Sequence, residues 1–177
     1  YLAVTDEVTV TVAVKPDEPS EENVSVPVKG STYKDDRQMA FYKVTGADIG
    51  GKGTVEYIKP VNKKKKVVTI PVTVKIGGIT YKVTGIANNA FKGNRHIKRL
   101  IIEKNVEKIG ARAFYGCKKL KNITIKTSKL KTKKIGAKAF KNINTKATVK
   151  VPKKKVKAYK SMLLKKGLGK KAVIRKV

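Results

Sequence analysis

The chain has 177 residues, 40% of them apolar, which suffices for one core-forming domain and a small neighbour. Its 43 Lys and Arg outweigh 12 Asp and Glu, for a formal net charge of +31. No stretch approaches the roughly 18 consecutive apolar residues of a spanning helix, so no membrane span is expected. Cys117 is the single cysteine, which excludes an intrachain disulfide and a Cys-rich zinc site.

The charge is unevenly placed. Residues 1–30 hold six acids and two lysines, whereas the rest of the chain holds 41 basic residues and six acids. A body this basic attracts polyanions and repels its own copies, both effects weakening with salt, and a monomer is expected in dilute solution. Only Arg37, Arg95, Arg99, Arg112 and Arg175 carry the guanidinium fork that specific reading of phosphate or guanine prefers. The lysines therefore read first as a solvated coat. No specific nucleic-acid partner is predicted, and an anionic cell-wall polymer stands as an alternative partner.

In residues 1–14, Val4, Val8, Val10, Val12 and Val14 share one parity, the alternation of a strand buried on one face. One strand cannot bury that face alone, so this segment is expected to be the last strand of a truncated upstream β-domain. Residues 15–30 are acidic and proline-bearing, the composition of a linker. Residues 31–66 alternate short strand-like runs, 39–44 and 54–58, with Gly46, Gly50, Gly51 and Gly53, and are expected to form a β cap. Gly50-Gly51-Lys52-Gly53 lacks the spacing of a phosphate loop and reads as a turn. Four lysines, 63–66, then flank Val67-Val-Thr-Ile70, and residues 76–83 around Gly77-Gly78 signal a hairpin.

Three copies of one phrase follow: Ile86-Ala-Asn-Asn-Ala90-Phe91, Ile109-Gly-Ala-Arg-Ala113-Phe114 and Ile135-Gly-Ala-Lys-Ala139-Phe140. The Phe residues are 23 and then 26 positions apart, and a strand-like triplet begins nine positions after each. A period in the twenties marks a solenoid whose turns bury a core only by stacking. The inward set is Ile86, Phe91, Leu100 and Ile102, then Ile109, Phe114, Ile123 and Ile125, then Ile135, Phe140, Val149 and Val151. Val68 and Ile70 are in phase with Leu100 and Ile102, an incomplete earlier repeat. Past residue 152, Val156, Tyr159, Met162 and Leu163 fall at helical spacing before Gly167, and a strand is expected over 172–177.

Ile109-Gly110, Ala113-Phe114, Gly116-Cys117, Leu120, Ile123 and Ile125 together resemble the BspA-like leucine-rich repeats of bacterial cell-surface proteins. The resemblance covers about residues 67–152. Together with the segments that flank it, the expected fold is β-rich α+β: a short leucine-rich-repeat solenoid with an N-terminal β-hairpin cap and a C-terminal helix-strand cap over 153–177. The resemblance also implies an extracellular or cell-surface location in a bacterium, and binding or adhesion to a protein or glycan. The first copy departs from the pattern with Ala87 for Gly, and the third with Asn142-Ile143 in place of Gly-Cys or Gly-Asn.

Catalytic chemistry finds little support. His96 is the sole histidine, and no third group orients it toward Cys117. Cys117 fills the repeat position of Asn94 and is expected to be a partly buried structural thiol. The basic body has neither opposed carboxylates nor a calcium-type acidic cluster, so no catalytic residue, metal or cofactor is expected. Strand alternation instead turns Arg99, Ile101 and Glu103 outward, with Asn122, Thr124 and Lys126, then Thr148 and Lys150. With Thr69 they form the candidate binding face, Thr69, Ile101, Thr124 and Lys150 making its clearest column.

Overall fold

The computed structural model describes residues 27–46 and 52–177. The strand expected at 1–14, most of the linker at 15–30 and part of the glycine turn at 50–53 lie outside the described residues. The described chain is β-rich with one α-helix, and its strands form two sheets.

The first sheet starts with β1 (Thr32–Asp35), β2 (Ala40–Gly46) and β3 (Thr54–Pro60), paired antiparallel in sequence. β2 buries Ala40, Tyr42 and Val44 and exposes Lys43 and Thr45, the period-two pattern of a sheet with one dry face. After β4 (Val67–Ile70), the hairpin of β5 (Thr73–Ile76) and β6 (Ile79–Ile86) closes through Gly77 and Gly78 at φ +53° and +75°. Two consecutive positive φ values define the tight hairpin turn that Gly-Gly accommodates without strain. β6 then lies parallel to β3, so the hairpin between the incomplete and first repeats supplies two strands of this sheet.

The second sheet is wholly parallel, in the order β11 (Val173–Lys176), β10 (Thr148–Val151), β9 (Asn122–Ile125), β7 (Arg99–Ile102), β4. Its register pairs Val68 with Leu100, Leu100 with Ile123, and Ile123 with Val149. Each pass of the chain also adds an Ile rung to the first sheet: Ile86 pairs with Ile109 of β8 (Lys108–Ile109), and Ile109 bridges to Ile135. The core lies between these two ladders. All twelve inward residues read from the repeats are buried there.

The Phe-bearing turn closes each pass. Its fourth residue, Asn89, Arg112 or Lys138, is left-handed at φ +59°, +54° or +56°, which turns the following Ala and Phe back into the core. Backbone bonds then tie turn to turn: Phe91 N–H donates to Ala113 C=O and Phe114 N–H to Ala139 C=O. The rings stack as the backbones do. Phe91 and Phe114 lie 5.2 Å apart, Phe114 and Phe140 5.4 Å, with planes within 10° and 16°. Tyr57 of β3 extends the stack at 5.3 Å from Phe91, and Tyr42 meets Tyr57 edge-on at 5.4 Å.

The departures from the repeat pattern have steric reasons. A Cβ on Gly110 would sit 2.3 Å from Asn88 N, and one on Gly136 2.3 Å from Ala111 N, so neighbouring turns approach too closely for any side chain. Ala87 follows β6 and donates its N–H to Tyr57 C=O, so on that side it meets the strand β3 rather than another Phe turn. Asn142 takes φ +61° at the position of Gly93 and Gly116, and Asn is the side chain that best tolerates that region.

The extra three residues of the longer repeat lie between β9 and Ile135, where Thr127 is fully buried. Thr127 Oγ1 donates to Val106 C=O at 2.7 Å. Tyr159 of α1 (Val156–Lys165) donates its hydroxyl to Thr127 C=O at 3.0 Å and accepts Leu130 N–H at 3.2 Å. The helix buries Tyr159, Met162 and Leu163, and Lys166 C=O accepts the Phe140 N–H. The end of α1 thus stands where a further Phe turn would otherwise close the ladder.

Phe114→Ala is expected to cost about 3–5 kcal/mol in urea denaturation, because it opens a void in the middle of the stack. Gly136→Ala should cost more than about 2 kcal/mol, while Ala87→Gly costs about 1 kcal/mol or less. Equal costs at the two positions would contradict the close-approach explanation. Tyr81 carries a buried hydroxyl with no hydrogen-bond partner among the described residues. Tyr81→Phe should therefore leave stability unchanged or raise it by up to about 1 kcal/mol in the same measurement.

Candidate functional site

Parallel register sets the outward residues of the second sheet in rows. Thr69, Ile101, Thr124 and Lys150 pair in succession, and Arg175 of β11 continues the row. A second row runs Val67, Arg99, Asn122, Thr148 and Val173. Thr69, Arg99, Lys126 and Lys150 are exposed, whereas Ile101, Glu103, Asn122, Thr124 and Thr148 are half-buried. Glu103 and Lys126 lie just past the strand ends, joined at 2.7 Å. The face offers hydroxyl and amide groups at its centre, the apolar Ile101 between Thr69 and Thr124, and cations toward β11. Arg175 is absent from the sequence-derived set because the third triplet was followed by a helix, which broke the repeat that located the others.

Around this face the charges are segregated. Five loops lead into the strands, 62–66, 92–98, 115–121, 141–147 and 166–172, and they contain fifteen Lys or Arg and no Asp or Glu. The carboxylates pair elsewhere. Glu103 reaches Lys126, Glu107 reaches Lys129 at 3.1 Å, and Glu56 reaches Lys108 at 3.4 Å. Two of these pairs lie in the loops that leave the strands, each joining one turn to the next.

Cys117 is fully buried, a correction to its expected partial exposure: the ladder of turns covers the position from both sides. Its Sγ donates to Phe91 C=O at 3.0 Å, a turn-to-turn bond. Asn94, at the equivalent position, likewise reaches back with Nδ2 to Lys63 C=O at 3.1 Å. Burial pushes the Cys117 thiol up to about 12, against a smaller lowering by the neighbouring Asn94 backbone. His96, by contrast, is exposed. Among the described residues no group of three or more His, Cys, Asp or Glu is placed to hold a metal ion. Nor is any described helix long and apolar enough to cross a membrane.

The thiol's environment has a measurable consequence. With the pKa raised by burial, the thiolate is scarce at pH 8, and a disulfide reagent should modify native Cys117 at least about 1,000-fold more slowly than the denatured chain. Raising the pH through the ordinary thiol range also removes stability, because the unfolded chain releases this proton first. Cys117→Ala should lose less stability than the parent chain between about pH 8 and 10, as read by denaturation at each pH.

Comparison with known proteins accords with this geometry. A family model described as BspA type Leucine rich repeat region (6 copies) matches residues 78–169, from the β5–β6 turn to just beyond α1. A crystal structure of a leucine-rich cell surface protein from Faecalibacterium prausnitzii is similar at 24% identity and a TM-score of 0.53. That similarity covers 70% of this chain and 37% of the other, so the chain spans little more than a third of that relative. A leucine-rich repeat protein from Bacteroides capillosus is similar at 15% identity and a TM-score of 0.51, covering 82% of this chain and 99% of that one. These two likenesses concern the fold. No curated protein matches the sequence. The family match takes in more than half of the 177 residues, and the chain belongs to the BspA-type leucine-rich repeat family.

Proposed function

We propose that the chain is a non-enzymatic binding or adhesion module displayed at a bacterial cell surface. In this reading it is a short leucine-rich-repeat solenoid, with β1–β3 capping one end and α1 and β11 the other. The observation that carries the proposal is the outer strand face, where residues that differ from turn to turn stand in register while the repeated residues face the core. A scaffold that holds its core constant and varies its outer rows suits recognition of an extended partner. Family membership supports the surface location, as does the description of the Faecalibacterium prausnitzii relative as a cell surface protein. The ligand of this face is a protein or glycan.

The test is a panel of immobilised host matrix proteins and glycans, probed with the chain and with the double variant Ile101→Asp/Thr124→Asp. A true ligand of the face should retain affinity within about twofold on raising salt, because its contacts are not chiefly ionic. The double variant should weaken it by at least about tenfold, equivalent to about 1.4 kcal/mol. Ligands that bind equally well to the variant would remove the strand face from the proposal. A second reading, polyanion docking through the lysines, is favoured by the net charge of +31 and by the acid-free loops that enter the strands.

A further inference from the structure

Fifteen of the 43 basic residues lie in the five strand-entry loops, which carry no acid. Lys98 N–H donates to Lys66 C=O at 2.7 Å, Lys121 N–H to Lys98 C=O at 3.2 Å, and Thr148 N–H to Lys121 C=O at 2.7 Å. These bonds set Lys66, Lys98 and Lys121 one above another, immediately ahead of β4, β7 and β9, at the strand spacing of about 4.8 Å. All three are exposed, and none has a carboxylate partner among the described residues. Further bonds hold the flanking loops in the same stack. Asn94 joins its loop to Lys63 C=O, and Asn144 Nδ2 reaches Lys118 C=O at 3.4 Å.

We propose that this strand-entry edge is a docking strip for a linear phosphodiester-linked polyol polymer of the bacterial wall, lying along the stack and crossing one turn per rung. The proposal deepens the polyanion reading and is independent of the strand face. Like charges spaced within a Debye length of about 8 Å hold a concentrated layer of small counterions. A polymer with several linked phosphates releases that layer on binding, and the entropy gained drives association. The strand-exit side is basic too, with Lys104, Lys131, Lys133 and Lys134 exposed, but it also carries Glu103 and Glu107, which pair with Lys126 and Lys129. A polymer without bases is favoured over nucleic acid because the edge has one arginine, Arg95, in its five loops. Its aromatic rings are few: Tyr115 is half-buried, its hydroxyl accepting Asn142 Nδ2, which leaves the exposed His96 as the one free ring in the five loops. Lysine, a compact charge on a flexible stem, fits a partner whose phosphates are irregularly placed.

Fluorescence anisotropy with labelled poly(glycerol phosphate) tests the strip, using two triple variants of equal charge. Lys66→Gln/Lys98→Gln/Lys121→Gln removes the rungs, and Lys131→Gln/Lys133→Gln/Lys134→Gln removes three exposed charges from a strand-exit loop. The rung variant should bind at least about tenfold more weakly at moderate salt, with its salt-dependence slope reduced by two or three, roughly one per lost contact. The exit-loop variant should stay within about twofold of the parent chain, as general charge effects are small beside lost contacts. Thermal melts of both variants confirm that the fold is retained, all six side chains being exposed. Equal loss in the two variants would reduce the strip to an undirected coat, and failure of the parent chain to bind at low salt would overturn the proposal. Tighter binding of single-stranded DNA than of poly(glycerol phosphate) would overturn the choice of partner. None of these outcomes alters the strand-face result, which is read with different variants and ligands.

Discussion

Each turn of this chain completes its core only against the turns beside it, and the aromatic column makes that dependence visible. Tyr57, Phe91, Phe114 and Phe140 lie at successive separations of 5.2–5.4 Å, one ring per pass. Each buried ring contributes roughly 1.5–3 kcal/mol, and favourable ring pairs add about 0.5–1.5 kcal/mol. A single turn would leave its ring wet on both faces. The same holds for the backbone: the N–H groups of Phe91 and Phe114 find their acceptors on the next turn, not within their own. Hydrogen bonding and hydrophobic burial therefore require the same stacking, and neither is satisfied without the other.

Side-chain polar groups follow the rule set by the rings. Cys117, Asn94 and Thr127 each reach a carbonyl of the preceding turn, at 3.0, 3.1 and 2.7 Å. Tyr159 extends it to the helix, satisfying Thr127 C=O and Leu130 N–H within the lengthened loop. The close approach that makes these bonds short also removes the Cβ at Gly110 and Gly136. Small residues, back-reaching polar groups and stacked rings are three results of one spacing.

That spacing also separates scaffold from surface. Because residues that face the core repeat, those that face out are free to differ, and the parallel register still aligns them into rows. Charge is sorted by the same geometry. Carboxylates on the strand-exit side pair with lysines one turn on, whereas the strand-entry loops accumulate lysine with no acid to offset it. The surface consequently presents two chemically different strips, a mixed strand face and a cationic edge.

Much of this was legible in the sequence wherever a period carried the information. Phe91, Phe114 and Phe140 announce the stack by spacing, and alternation within each triplet separates Leu100 and Ile102 from Arg99 and Ile101. The row of Thr69, Ile101, Thr124 and Lys150 follows from phase alone, since parallel strands of one repeat pair like with like. Tertiary structure decided what has no period. Tyr57 joins the ring column from a strand outside the repeats, Tyr159 returns from the helix to the inserted loop, and Arg175 extends the outer row from beyond it. The acid-free character of the strand-entry edge likewise emerges only when five separate loops are set side by side. A repeating sequence encodes its own nearest-neighbour contacts, because each turn meets a copy of itself; contacts between unlike segments depend on where the chain goes, and only the folded chain reveals them.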